Sequence, residues 1–310
     1  MTRVLVTGTG GAAGIAVLRA LTGGGHHPIA VDADPGAAGL RLAADAATVP
    51  RASDPTFGLE LLRVVDATRP NVLVTTVAEE IPPLHDLEAA LRERAVSTWL
   101  PSPAAVAVCL DKWKFSHVLH DAGVPTPATG LGDAAGVPGP WIVKPRFGRG
   151  SRDVYRVEDP AELRWACRRT PDPVVQTAVA GREFTADALV DRAGALVACV
   201  PRWRLETKAG ISTKGETFDA APVVTAVGRT VAAVGLDGPL NLQGFVHPDG
   251  VTVIEVNPRF SGGLPLTLAA GADLVGEHLR GALGEPLRPA RLQARPGVRM
   301  TRYLVECFDS

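Results

Sequence analysis

The chain has little of several things that would settle its class at once. Its four cysteines, Cys109, Cys167, Cys199 and Cys307, are widely spaced and form no Cys-x-x-Cys pair, which argues against a zinc site and against a disulfide framework. A reducing cytoplasm is the simplest home. No apolar run approaches the ~20 residues that span a bilayer, and the run Val4 to Val6 gives way at once to Thr7 and Gly8. That start reads as a strand and not as a signal peptide. Neither charge is in excess: 32 Lys+Arg against 33 Asp+Glu leave a net charge of -1, so nothing recommends nucleic acid or a membrane as a partner. Aromatic residues are scarce, at 5%. In their place stand 33 glycines and a 46% hydrophobic content over 310 residues, which suit an α/β protein rich in tight turns and long enough for two domains. The expectation is small-molecule chemistry.

The first third follows one recurring order. A strand over Arg3 to Val6 runs into the loop Gly8-Thr9-Gly10-Gly11, a helix over Ala12 to Leu21, and a strand over Ile29 to Val31 ending in Asp32. This is the Rossmann-type sequence of elements, with Asp32 at the distance of a ribose contact. Helices at Leu59 to Ala67 and Leu84 to Arg94 then alternate with strands at Asn71 to Thr75 and Thr98 to Leu100, which predicts a parallel, doubly wound sheet. Gly8, Gly11 and Gly14 also fit the glycine spacing of short-chain dehydrogenases, but neither Tyr155 nor Tyr303 is followed by lysine at the Tyr-x-x-x-Lys spacing. An NAD(P)-dependent oxidoreductase is therefore a remote alternative. A tight turn packing helix on strand explains the same glycines.

Pro101 and Pro103 mark a joint, after which Asp111 to Ala122 reads as a helix carrying Lys112 and Lys114 and closed by Gly123, Pro125 and Pro127. A strand at Trp141 to Val143 delivers Lys144 and Pro145 into the loop Arg146 to Arg152, and Val154 to Val157 returns from it. Backbone N–H groups of Gly148, Gly150 and Ser151 can wrap a polyphosphate whose charge Lys144, Arg149 and Arg152 offset. The loop lacks the Gly-Lys-Ser/Thr ending of a Walker A motif, and a basic hairpin tip reads the same way. Beyond a helix at Ala161 to Arg168 lie strands at Pro173 to Thr177, Phe184 to Val190 and Leu196 to Trp203. Arg202, Arg204 and Lys208 gather at the end of the last one, either as a solvated edge or as a grip for an anionic substrate group.

The stretch Val253 to Gly263 is the densest in chemistry. Glu255 and Asn257 share one face of an apolar strand that stops at Pro258 and opens into Arg259, Ser261, Gly262 and Gly263. A core strand ending in such groups is costly unless something charged binds there. With Pro248-Asp249-Gly250 as a three-residue loop and Gly250 left-handed, the hairpin pairs Gln243 with Glu255 and Asn241 with Asn257. A two-residue loop would shift the pairing by one and separate them. Their oxygens, with no histidine or thiolate among them, favour magnesium held jointly by protein and phosphate, and a wet polar sheet face is the plain alternative.

Taken in order, Asp111-Lys112, Ile142-Val143-Lys144-Pro145, Gly148-x-Gly-Ser151, Val175-Gln176, Gly181-x-Glu183, Asn241-x-Gln243 and Glu255-x-Asn257-Pro258-Arg259 resemble the ATP-grasp proteins, closest in pattern to single-unit relatives of the carbamoyl-phosphate synthase large subunit. The resemblance implies a Rossmann-like leading domain over 1–108 and an ATP-grasp domain over 109–310, with a mobile lid at about 126–178. It implies that Lys112 and Lys144 contact the nucleotide, that Gly148, Arg149, Gly150 and Ser151 close over its phosphates, and that Gln176, Thr177 and backbone near Val179 meet the adenine. Glu183 would take the ribose, and Gln243, Glu255 and Asn257 would hold magnesium, with manganese as an alternative ion. Arg259 would reach the moving phosphoryl group, Arg204 and Lys208 the carboxylate, and Ser261, Gly262 and Gly263 would border the substrate. Thr177 stands where relatives often carry a glutamate, which leaves ATP against GTP open.

The reaction so implied is ATP-dependent joining of a small carboxylate to an amine through an acyl phosphate, with ADP and phosphate released. A carboxyphosphate-forming carboxylase or a phosphotransferase is the alternative on the same fold, and a homodimer is the prior for a soluble enzyme of this kind.

Overall fold

The computed structural model describes residues 1–132, 136–148, 150, 153–208 and 210–308. The apolar triplet Val4–Val6 forms the centre of β1 (Arg3–Thr7), which leads through the glycine loop into α1 (Ala12–Gly23) and β2 (His27–Asp32). A short α2 (Gly39–Leu42), β3 (Asp45–Thr48), α3 (Phe57–Thr68), β4 (Val72–Thr75) and α4 (Ile81–Glu93) complete the first unit. Its sheet is parallel throughout, in the order β3-β2-β1-β4. The strand expected at Thr98 to Leu100 is absent. Only Ser97 pairs with Val72, because the chain turns into Pro101 and Pro103 and Trp99 is drawn into the core, 3% exposed, to stack on His278.

Two short helices, α5 (Pro103–Leu110) and α6 (Lys112–Asp121), follow end to end. Asp111 divides them: its carboxylate caps α6 by accepting from the backbone N–H groups of Trp113 and Lys114, both at 3.1 Å. A four-stranded antiparallel sheet comes next, built from β5 (Thr129–Leu131), β6 (Trp141–Pro145), β7 (Tyr155–Val157) and, after α7 (Pro160–Arg169), β8 (Pro173–Thr177) in the order β5-β8-β6-β7. Leu163 and Ala166 of α7 cover Val143, Val157 and Val175 of this sheet in a small core of their own.

The larger sheet takes β9 (Arg182–Val190), β10 (Leu196–Lys208), β11 (Ile211–Thr217), β12 (Gly238–His247), β13 (Gly250–Asn257) and β14 (Arg299–Thr301) in the order β13-β12-β9-β10-β11-β14. One face is apolar: Phe184, Ala186, Ala188, Leu240 and Leu242 pack with Val223, Val227 and Val231 of α8 (Ala221–Val234) and with Phe115 and Leu119 of α6. On the other face, Leu189, Ala198 and Val200 at one end join Leu18 and Leu21 of α1 and Val275 and Leu279 of the helix Leu274–Ala282, so the two units share a core. The remainder of that face is polar. No helix among the described residues is long and apolar enough to cross a membrane.

Candidate active site

The polar face is a product of strand periodicity. Along β9 the residues Glu183, Thr185 and Asp187 alternate with the buried Phe184, Ala186 and Ala188. On β12 and β13 the register sets Asn241 opposite Asn257 and Gln243 opposite Glu255. This is the expected pairing, reached by another route. The loop has two residues, since His247 pairs with Gly250, and the register shifts between Gln243 and Gly244, leaving Ile254 as a β-bulge. Gly244 permits the bulge: a Cβ there would stand 2.5 Å from the Thr252 carbonyl oxygen and 3.0 Å from the Phe184 ring.

Around Glu255 the structure gathers groups from three segments. Asn257 Nδ2 donates to Glu255 Oε1 at 3.3 Å, and Arg259 Nη2 donates to Asn257 Oδ1 at 3.1 Å. Lys144, on β6 of the smaller sheet, and Lys112, at the start of α6, both feel the Glu255 charge. Burial pushes the Lys144 ammonium down to about 8, with Lys112 acting in the same direction and Glu255 against it. Lys112 is lowered too, chiefly by burial. Its Nζ donates to the Gly148 carbonyl at 2.9 Å, tying the loop after β6 to α6. Arg146, at the base of that loop, is clamped by Asp111 in a two-pronged pair at 2.9 and 2.7 Å.

A second group adjoins the first through the Gln243–Glu255 pairing. Gln243 Nε2 donates to Glu183 Oε1 at 2.5 Å, and Arg204 donates to Gln243 Oε1 at 3.2 Å and to the Gly210 carbonyl at 3.1 Å, with its Nε 3.3 Å from Glu183. Arg204 is thus turned back along the sheet, while Lys208 is exposed at the end of β10. Gln176 is 2% exposed, and its Nε2 donates to Thr129 Oγ1 at 2.9 Å. Thr177 Oγ1 donates to the Pro138 carbonyl at 2.8 Å, and Val179 follows in the partly buried connection to β9. Gly148 and Gly150 both have positive φ, at 116° and 72°, while Arg149 and Ser151 lie outside the described residues.

Sequence reading missed the ion pair beneath this face. Asp187 Oδ1 accepts from Arg202 Nη2 at 2.6 Å and from Asn241 Nδ2 at 2.9 Å, and Oδ2 accepts from Thr267 Oγ1 at 2.7 Å. Arg202 Nη2 also reaches Ser261 Oγ at 3.0 Å, which accepts from the Gly263 N–H as well. A Cβ on Gly263 would stand 1.6 Å from Arg202 Nη1, so only glycine fits there. The alternation of Glu183, Thr185 and Asp187 along an apolar strand was the available signal.

These residues suit a divalent ion and a nucleotide triphosphate. Lys144 is 5% exposed and has no hydrogen-bond or ion-pair partner among the described residues, so an anion is needed beside it. Glu255 has no cation within salt-bridge distance among them, which leaves its carboxylate open to one. No group of three His, Cys, Asp or Glu side chains able to hold a metal occurs among the described residues. A magnesium ion here would therefore rest on one carboxylate and amide oxygens and draw its other ligands from phosphate.

A parallel α/β unit joined to two antiparallel sheets with cations, an amide set and a carboxylate between them defines a nucleotide-dependent enzyme class. The ATP-grasp domain model matches residues 109–263, half of the chain, and the chain belongs to the ATP-grasp family. Over 224 residues, 63% of this chain, it is 30% identical to a Sinorhizobium fredii protein designated "Uncharacterized protein y4rH", of which it covers 46%. It is 28% identical over 60% of its length to the carbamoyl phosphate synthase large chain of Streptomyces coelicolor, covering 19% of that protein. The chain thus spans less than half of either relative.

Among solved structures, biotin carboxylase from Campylobacter jejuni, in a β-γ-ATP complex, superposes with a TM-score of 0.75 at 17% identity, over 95% of this chain and 74% of that one. L-amino acid ligase from Bacillus licheniformis gives 0.73 at 18% identity, over 96% and 78%. At these identities the likeness establishes the fold.

Proposed function

We propose that the chain is an ATP-dependent carboxylate–amine ligase that releases ADP and phosphate. The observation that carries this reading is the pair of open charges across the cleft: among the described residues, a buried Lys144 has no hydrogen-bond or ion-pair partner and Glu255 has no cation within salt-bridge distance. Gln243, Glu255 and Asn257 would hold magnesium, which when bound neutralises phosphate oxygens and aligns the triphosphate. Lys144 and Lys112 would hold the phosphates by charge, and the backbone of the Gly148 to Ser151 loop would cover them. Arg259, fixed by Asn257 and by the Phe260 carbonyl at 3.0 Å, would counter charge building on the transferred phosphoryl group.

The chemistry needs no protein nucleophile. A substrate carboxylate oxygen attacks the γ-phosphorus, the bond to the bridging oxygen breaks, and ADP leaves. An amine then attacks the acyl carbon, phosphate leaves with the C–O bond electrons, and the amine proton passes to solvent. The cysteines fit this account, since burial pushes Cys109 and Cys199 up to about 12, where neither is a thiolate. Adenine would lie near Val179 and Thr177, and the ribose near Glu183. Lys208 at the strand end would meet the carboxylate, and 109–310 would act as the catalytic unit behind the leading domain 1–108.

The test is ADP release measured over a panel of amino acids and small carboxylates with magnesium, using hydroxylamine as a general amine and mass detection of the hydroxamate. ADP with hydroxamate supports the ligase. ADP release driven by bicarbonate alone, or a stable phosphorylated acid that hydroxylamine does not capture, would replace it with a carboxylase or a phosphotransferase. Indifference to magnesium would sink all three.

A further inference from the structure

The glycine loop at the start of the chain has no task in that reading. Its acidic partner is already spent: Asp32 Oδ2 accepts from the Gly10 N–H at 2.6 Å and Oδ1 from the Asp34 N–H at 2.9 Å, so Asp32 is a strut of the loop. The helix that follows begins bare. Gly11 supplies no side-chain cap to α1, and its first turn holds no acidic residue, leaving unpaired N–H groups and the positive end of the helix dipole. This end abuts the candidate substrate loop. A Cβ built on Gly262 would stand 3.6 Å from the Ala12 Cβ and 3.7 Å from the Ile211 Cγ2.

A bare helix end alone is commonplace, but a guanidinium converges on the same glycine. Arg302, which follows β14, donates its Nε to the Ser212 carbonyl at 2.9 Å and its Nη2 to the Gly262 carbonyl. It is half-buried, and no carboxylate lies within salt-bridge distance among the described residues. Arg202 stands close by, 3% exposed, with no partner for its Nε and its Nη1 against the Cα of Gly263. Burial and the Arg202 charge both push the Arg302 pKa below its ordinary value. Asp187 neutralises only one of these two guanidiniums. Holding the second beside it without a counter-ion is costly unless an anion arrives.

We propose that the N-terminus of α1, Arg302 and the Ser261–Gly263 loop together bind a second acidic group, carboxylate or phosphate, of the acid whose first carboxylate is activated beside Arg259. The substrate is then a dianionic acid, and Arg302 and Ala12, both outside the 109–263 family match, set its specificity. This deepens the ligase reading and rests on it. The geometry is economical: Gly262 stands three residues past Arg259, so one short loop spans the reacting end and the recognised end of a small molecule.

The experiment compares acids that differ only in the second charge: succinate with butyrate, aspartate with alanine, and 3-phosphoglycerate with glycerate. The full chain is assayed for magnesium-dependent ADP release with hydroxylamine, and the Tm shift given by each acid is recorded in the presence of MgADP. At least one dianion should exceed its partner by about tenfold or more in kcat/KM and give the larger Tm shift, as expected for a charge-assisted contact. The pair that responds distinguishes carboxylate from phosphate. Arg302→Gln should bring the ratio towards one through KM. Ala12→Glu, which sets an internal carboxylate where the ligand's would lie and suits a first helical turn, should do the same without risk to the fold. Equal response to both members of every pair, or a preference surviving in both variants, overturns the proposal while ADP release keeps the ligase standing. Dianion-selective, Arg302-dependent Tm shifts with no ADP release from any acid would instead remove the ligase reading and leave the anion site.

Discussion

Two charged clusters flank the cleft, and they are built by opposite rules. In the first, Asp187 has both oxygens filled by Arg202, Asn241 and Thr267 at 2.6 to 2.9 Å, and every one of these groups is buried. In the second, Lys144 is as deeply buried but has no hydrogen-bond or ion-pair partner among the described residues, and the one hydrogen bond to Glu255 among them is the long contact from Asn257 at 3.3 Å. A closed set of charges is architecture: it fixes β9, β10, β12 and the Ser261–Gly263 loop in one arrangement. An open set costs stability in the free protein, and that cost is recovered when a ligand of the right charge arrives.

The sharpest way to break this contrast is to open the closed cluster. Asp187→Ala strands a buried guanidinium, and about 3–5 kcal/mol of folding stability should be lost, read as a fall in the denaturant midpoint. Removing charge from the open cluster should fall on activity instead. Glu255→Gln should lower ADP release by on the order of a hundred- to a thousandfold, while the denaturant midpoint, set back only by loss of the charge that Lys112 and Lys144 both feel, falls far less than in Asp187→Ala. If Glu255→Gln unfolds the chain as Asp187→Ala does, the two clusters are of one kind and the site assignment is wrong.

Lys144 offers a test in pH. Its folded-state pKa of about 8 lies below the 10.5 of a free lysine, so between these values the folded chain has shed a proton that the unfolded chain keeps. The ligand-free protein should therefore gain stability as pH rises through that window, by up to about 3 kcal/mol. Affinity for MgATP should move the other way, because the ammonium that would face the phosphates is lost. Lys144→Met should abolish both trends and be no less stable than the parent at pH 7. Denaturation midpoints and ATP KM at pH 7.5 and 10 read the two directions separately.

How much of this was legible in the chain follows from where each contact lies in sequence. Glu255 and Asn257 are two residues apart on one strand, and strand periodicity alone places them together. Their pairing with Gln243 and Asn241 was also legible, yet the loop assumed for it was wrong: a two-residue turn and the bulge at Ile254 cancel each other. Gly244, a glycine inside an otherwise regular strand, was the mark of that bulge. The Asp187–Arg202 pair was not legible, since it needs the β9–β10 register, which itself shifts between Leu196 and Ala198. Arg302 was further out of reach. Nothing local to it signals that β14 would close the sheet beside β11 and bring it to Gly262.

The smallest effect is expected where the two kinds of cluster meet. Asp111 and Arg146 form a closed pair, Asp111 being 2% exposed, but the pair sits at the base of the loop that would cover the phosphates. Asp111→Asn keeps an oxygen to cap α6 at the Trp113 and Lys114 N–H groups and removes only the charge that holds Arg146 from both sides. Because Arg146 is partly in water, the loss of stability should be small. As architecture alone, the pair would show that loss only in stability. As the anchor of a loop that must settle over ATP, it should also raise ATP KM a few-fold with kcat little changed, and Lys112, whose Nζ shares the Arg146 and Gly148 carbonyls, should amplify the effect. A double substitution with Lys112→Met that costs more in KM than the two singles combined would place Asp111 with the open cluster. Additive costs would leave it with the closed one.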